Sequence, residues 1–137
     1  MIFLTSQIQR IQVSSVLNRD VTEFGKQHLL DNNDHTCWNS DQGLPQSITI
    51  SMANPVDINT IQMNFQGGFA GSRIEIWTKL AGPDAKLKLW REFDGEDRGG
   101  AQEFRIDAVN IDKVKIVFTK SSDFFGRIVI YKLDLLS

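Results

Sequence analysis

Apolar side chains recur at every second position in seven places along the chain. Ile48, Ile50 and Met52 alternate with Thr49 and Ser51, Ile61, Met63 and Phe65 with Gln62 and Asn64, and Ile74 and Ile76 flank Glu75. The same period returns at Phe104 and Ile106, at Val114, Ile116 and Phe118, at Ile128 and Ile130, and at Leu133 and Leu135. A period of two puts those side chains on one face of a pleated strand, so each run predicts a half-buried β-strand. Turn-forming clusters separate the runs: Ala53-Asn54-Pro55, Gly67-Gly68, Ala81-Gly82-Pro83-Asp84, Asp94-Gly95 and Gly99-Gly100. Helical spacing occurs in one short stretch, Val21 to Leu30, with Asp20 or Thr22 as its cap and Gly25 weakening it. Many short strands with regular turns predict an all-β, antiparallel β-sandwich. The closing segment GRIVIYKLDLL is expected to belong to the sheet.

Composition narrows the function classes. The 137 residues fit one domain, 1–137, long enough for a real core, and 41% hydrophobic with 23% charged residues is an ordinary globular mix. A net charge of −2 argues against a nucleic-acid binder that relies on a basic field. Lys86, Lys88 and Arg91, close to Asp94, Glu96 and Asp97, read as a solvated mixed-charge face. The single cysteine, Cys37, excludes an internal disulfide framework and favours a reducing compartment. MIFLTSQIQR lacks a basic start and a long apolar run, so no signal peptide is expected, and no apolar run is long enough to span a bilayer.

The chemistry concentrates in LLDNNDHTCWNSDQG, Leu29 to Gly43, which packs side-chain oxygens, Thr36 and Trp38 into one tight loop. Short oxygen-bearing side chains suit either a calcium ion, which takes six to eight oxygens, or an Asx-type turn in which they bond backbone N–H groups. Trp38 is expected in the core, where it contributes apolar area. Cys37 with His28 or His35 would need a base within reach and a third orienting group to act as a nucleophile; an inert, buried thiol is the plainer expectation.

Two further stretches are candidate contacts. Gly67-Gly68-Phe69-Ala70-Gly71 has no Gly-Lys-Ser/Thr and is no phosphate loop; it is either a flexible connection or a loop presenting Phe69 at its tip. In Asp123-Phe124-Phe125-Gly126-Arg127, adjacent aromatics on a strand would face opposite sides, so at most one enters a shared core. There Asp123 would start a turn that Gly126 permits, with Arg127 paired to a local carboxylate.

LLDNNDHTCW resembles the L-x-D-G-x-x-x-T-x-W signature of discoidin-like domains, which share the galactose-binding jelly roll with coagulation-factor C domains and many carbohydrate-binding modules. Phe24 to Gly43, Ile58 to Phe69 and Asp123 to Leu133 also resemble a small family of nuclear-receptor-associated proteins within that fold. The resemblance implies a jelly roll and, for the loop, a possible calcium held by Asp31, Asn33 and Thr36. Asn32 stands where the signature has glycine. Lys132 stands where metal-binding relatives place a glutamate, and its ammonium would repel a divalent cation. The resemblance also implies a non-enzymatic module whose partner is a protein, an orphan nuclear receptor or a multi-subunit assembly, with a role in transcription regulation and a nuclear or cytoplasmic, intracellular location. The expected contacts are Asn39, Asp41, Phe69, Asp123, Phe124 and Arg127. A lectin-like sugar-binding module is the alternative, with Phe69, Phe124, Asn39 and Arg127 around a sugar ring; nucleic acid and membrane are not expected partners.

Overall fold

The computed structural model describes residues 2–137. Among them, the strands are β1 (Ile8–Val13), β2 (Trp38–Asn39), β3 (Gln46–Phe65), β4 (Gly71–Leu80), β5 (Lys88–Asp94), β6 (Ala101–Ser121) and β7 (Val129–Leu136). All pairings are antiparallel, in the order β2-β7-β3-β6-β4-β5, with β1 on β3.

Two long strands turn this path into two layers. Laid straight, the 21 residues of β6 would span about 70 Å. Yet the Ser122 hydroxyl just beyond its end lies 3.1 Å from Asp97 Oδ1, just before its start. The β3/β6 ribbon therefore folds back on itself. Residues 46–52 of β3 and 111–118 of β6 join β1, β4 and β5 in one layer. Residues 58–65 of β3 and 101–108 of β6 join β7 and β2 in the other.

The bend explains one departure from the sequence expectation. Ala53-Asn54-Pro55 does not end a strand; β3 runs through it, exposed, as a series of register shifts from Ser51 to Thr60. Pro55 has no N–H to give a ladder and fits an irregular position. The shifts also change which parity faces inward: Ile48, Ile50 and Met52 before the bend, Ile61, Met63 and Phe65 after it, all buried. On β6 the matching irregularity carries Asp107 and Asn110 at positive φ, and Asp57 Oδ1 accepts the Asn110 N–H at 2.9 Å, tying the corner.

The core lies between the layers, where Trp38, Phe65 and Phe118 meet; Phe65 and Phe118 stack edge to face at 5.9 Å. Gly71 is required here, because a Cβ would collide with the Phe118 ring. The expected helix over Val21 to Leu30 is instead a four-residue helix α1 (Val21–Phe24) followed by a 3-10 turn (Lys26–Leu29). Asp20 caps α1 by accepting the Glu23 N–H, and extended Gly25 breaks the helix. No helix among the described residues is long and apolar enough to cross a membrane.

Candidate functional site

Folding the ribbon back brings the ends of both layers together. Four connections meet there: residues 39–45, 66–70, 95–100 and 122–128. Gly43 N–H donates to the Phe125 carbonyl at 2.8 Å, Ser122 N–H to the Ala70 carbonyl at 2.9 Å, and Gly68 N–H to Asp97 Oδ1 at 2.7 Å.

At this end Asp123 and Arg127 form a fork. Arg127 Nε lies 2.9 Å from Oδ2 and Nη2 3.2 Å from Oδ1, while the Arg127 N–H donates to Oδ2 at 3.0 Å. These charge-assisted bonds, Arg127's side chain foremost, hold the Asp123 carboxyl below the usual carboxylate range. Gly126 closes the turn at φ +81°, with Leu44 packed against it. The Arg127 guanidinium lies 4.9 Å from the Phe69 ring centroid, a cation–π contact. Phe69 is therefore half-buried beneath Arg127, not the exposed tip that its glycine-rich surroundings allowed.

Phe124 and Phe125 lie in the turn, not on a strand, so alternation does not apply and neither enters the core. Phe124 is 94% exposed, Phe125 53% and the neighbouring Leu44 42%. The two phenyl rings pack edge to face at 5.3 Å. Of the six expected contact residues, Phe69, Asp123, Phe124 and Arg127 come together. Asn39 and Asp41 are half-buried; the Asn39 amide oxygen has no partner among the described residues, and the Asp41 N–H donates to the Ser15 hydroxyl at 3.0 Å. Leu44 and Phe125 were not among the expected contacts; their places depend on Gly126, the turn's positive-φ residue.

The Asp31 loop is a separate, closed network. Asp31 Oδ2 accepts from the Thr36 hydroxyl at 2.6 Å and from His28 Nδ1 at 3.0 Å, and Oδ1 accepts the Asn33 N–H at 3.1 Å. Asn33 Oδ1 accepts the His35 N–H at 2.9 Å. His28 Nε2 sits 2.8 Å from the Thr22 carbonyl oxygen. The carbonyl and the carboxylate only accept, so both contacts are hydrogen bonds at once only when the ring carries two protons; Gln27 Nε2, a donor, also lies 3.4 Å from His28 Nε2. The Thr22 carbonyl, then Asp31, raise the His28 pKa. Burial works against the charge of Asp31, but the bonds from Thr36, His28 and Asn33 outweigh it and hold its carboxyl low.

These donors and acceptors satisfy one another without an ion. The two Asp31 oxygens already face the Asn33 N–H, the Thr36 hydroxyl and His28 Nδ1. Lys132 stands nearby on β7, with Nζ 3.6 Å from Asp134. Trp38 is fully buried, its indole N–H donating to the Ser15 carbonyl at 2.9 Å. Cys37 is half-buried, and burial raises its thiol pKa; the His28 ring faces Asp31 and Thr22 rather than Cys37.

Two layers of antiparallel strands joined by a folded ribbon, with a Trp38 loop at one edge, define a discoidin-like (F5/8 type C, galactose-binding-like) β-sandwich. Solved structures agree on the fold. An F5/8 type C domain of a Bacteroides fragilis protein superimposes with a TM-score of 0.81 at 16% identity, over 92% of this chain and 89% of that one. The CBM32-5 module of a Clostridium perfringens protein, in complex with GalNAc-β-1,3-galactose, gives 0.82 at 18% identity, over 99% and 100%. No protein-family model matches the chain. The zebrafish (Danio rerio) nuclear receptor 2C2-associated protein is 44% identical over 126 residues, 91% of this chain and 88% of its own length. The Homo sapiens protein of that name is 43% identical over 125 residues, again 91% and 88%. The chain belongs to the nuclear receptor 2C2-associated protein family.

Proposed function

We propose that the chain is a non-enzymatic protein-interaction module that grips a protein partner with its loop end. One observation carries this reading: Phe124, 94% exposed, projects from a turn pinned by the Asp123–Arg127 fork. An exposed phenyl group gains apolar burial on binding, and a turn held in shape beforehand loses little freedom in doing so. Phe125 and Leu44 widen the apolar area, and Phe69 supports Arg127 from below. The name of the relatives supports a nuclear receptor, or an assembly containing one, as the partner, and transcription regulation as the setting.

The carbohydrate-binding fold neighbours are the source of the alternative, a sugar-reading module. A sugar site needs free polar groups around an exposed ring face. The charged groups flanking Phe124, Asp123 and Arg127, are bonded to each other, which favours the protein reading.

The test is direct binding of immobilised nuclear receptor 2C2 by the full chain and by Phe124→Ala. The expected result is measurable wild-type binding that weakens about tenfold or more in the variant, as for an aromatic anchor. Wild-type binding that Phe124→Ala leaves intact would overturn the loop-end reading. No binding to the receptor, with a response to galactosides on a glycan array, would move the function to the alternative.

A further inference from the structure

The end of the sandwich opposite Phe124 carries a second feature. There β5 is the edge of one layer and residues 101–108 of β6 the edge of the other, leaving a seam between them. Phe93 and Phe104 close one part of the seam, edge to face at 5.2 Å. Trp90 bridges the next, its indole N–H donating to the Ile106 carbonyl at 2.6 Å, with the Arg91 guanidinium stacked 4.2 Å from its ring centroid. Beyond Trp90 the seam opens into a groove of about 610 Å³. Its floor includes the buried Ala108 and Ile111, and its walls are Trp90, Leu80 and Val109, the last two 56% and 61% exposed.

The rim sets the chemistry. Lys86 and Lys88 border the groove and, among the described residues, neither has an ion-pair partner. Lys79 nearby is neutralised by Asp112 at 2.8 Å, and Asp84 is the one carboxylate lining the groove. The rim therefore has a surplus of positive charge around an apolar slot. The groove also opens beside the outer edge of β5, which has no neighbouring strand among the described residues. An open slot beside an unpaired strand edge suits a stretch of chain better than a small enclosed molecule.

We propose that this groove docks a short extended peptide segment of a partner protein, one with a bulky apolar side chain flanked by carboxylates. The apolar side chain enters between Trp90 and Val109, and the carboxylates meet Lys86 and Lys88. The hydrogen-bonded, cation-stacked Trp90 is a wall already in place, so binding does not have to order it. The site is at the opposite end from Phe124 and does not rest on the loop-end function.

The experiment selects from a display library of short peptides, with Leu, Met, Phe or Trp at the centre and random flanks, on the full-length chain. The selected peptides are then synthesised and their affinities measured. Enrichment of Asp and Glu beside the apolar residue is expected. The double variant Lys86→Glu/Lys88→Glu should weaken those peptides about tenfold, the equivalent of two exposed ion pairs. Val109→Asp should abolish binding, and Phe124→Ala should leave it unchanged. Each charge-reversal and groove variant is checked for a wild-type circular dichroism spectrum and melting curve, and Lys86→Gln/Lys88→Gln provides a milder second pair. Failure to enrich acidic-apolar peptides, or peptides that bind the charge-reversed chain as tightly as wild type, would overturn the proposal. So would concentration-dependent dimerisation that Val109→Asp removes, which would make a second copy the occupant.

Discussion

His28 Nδ1 stands 3.0 Å from Asp31 Oδ2 while its other nitrogen faces the Thr22 carbonyl at 2.8 Å, so the His28 ring ties the helical segment to the loop. The folded pKa of His28 is raised above its ordinary 6.5. The imidazolium therefore stabilises the fold fully below that ordinary value, and the contribution fades as pH rises through the raised one. Melting curves across this range should show His28→Ala losing about 1–2 kcal/mol on the acid side and converging on wild type at alkaline pH. A pH-independent difference would place the effect of His28 in packing instead.

Millimolar calcium should leave the melting temperature unchanged. A ligand present at a hundred times its Kd would add about 2.7 kcal/mol of stability, readily seen in a thermal scan. A calcium-dependent rise that Asp31→Asn removes would mean that the loop can open, release His28 and re-form around the ion.

Trp38 occupies the core centre beside Phe118, ring centroids 6.5 Å apart, and is completely buried. Trp38→Ala should cost about 3–5 kcal/mol by leaving a cavity, measured by urea denaturation. A cost below about 1 kcal/mol would show that the two layers collapse over the gap.

The Asp123 fork is acid-sensitive. Its carboxyl pKa is depressed by Arg127, so its stabilisation is complete above the ordinary carboxylate value of 3.8 and lost as pH falls through the lower folded one. Asp123→Asn should be less stable than wild type at neutral pH, and the gap should close only below the ordinary carboxylate range. Acid titration of both chains, followed by circular dichroism, checks this.

Phe124→Ala should alter folding stability by no more than about 0.5 kcal/mol, because so exposed a side chain makes few contacts. Paired with the receptor-binding measurement, this separates a contact residue from a structural one. A large loss of stability would show that the phenyl group supports the turn.

The strands were legible because burial on one face leaves a period-two record, and Ile48 to Met52, Ile61 to Phe65 and Val114 to Phe118 keep it. The signature around Trp38 was legible for a similar reason, since a tight turn and a core aromatic restrict residue type strongly. The bend at Ala53 to Pro55 was not. A proline and an asparagine end a strand or kink one equally well, and the choice depends on whether β6 bends alongside. The helix over Val21 to Leu30 shortened because Gly25 takes an extended backbone there. The role of His28 was hidden as well: its partner Thr22 meets it only after the chain turns at Gly25.

From the sequence alone follow the layered antiparallel architecture and a buried Trp38, because each depends on periodicity or on neighbours close in the chain; for the Asp31 loop the sequence left a turn and a calcium site open, and for Arg127 a local ion pair and a partner contact. Tertiary structure alone decided that Phe69 lies under Arg127, that Leu44 lies beside the Phe125 turn, and that Trp90 and Val109 line one open groove. Those contacts join residues separated by tens of positions, and the folding back of the β3/β6 ribbon sets which ends meet and which edges stay unpaired.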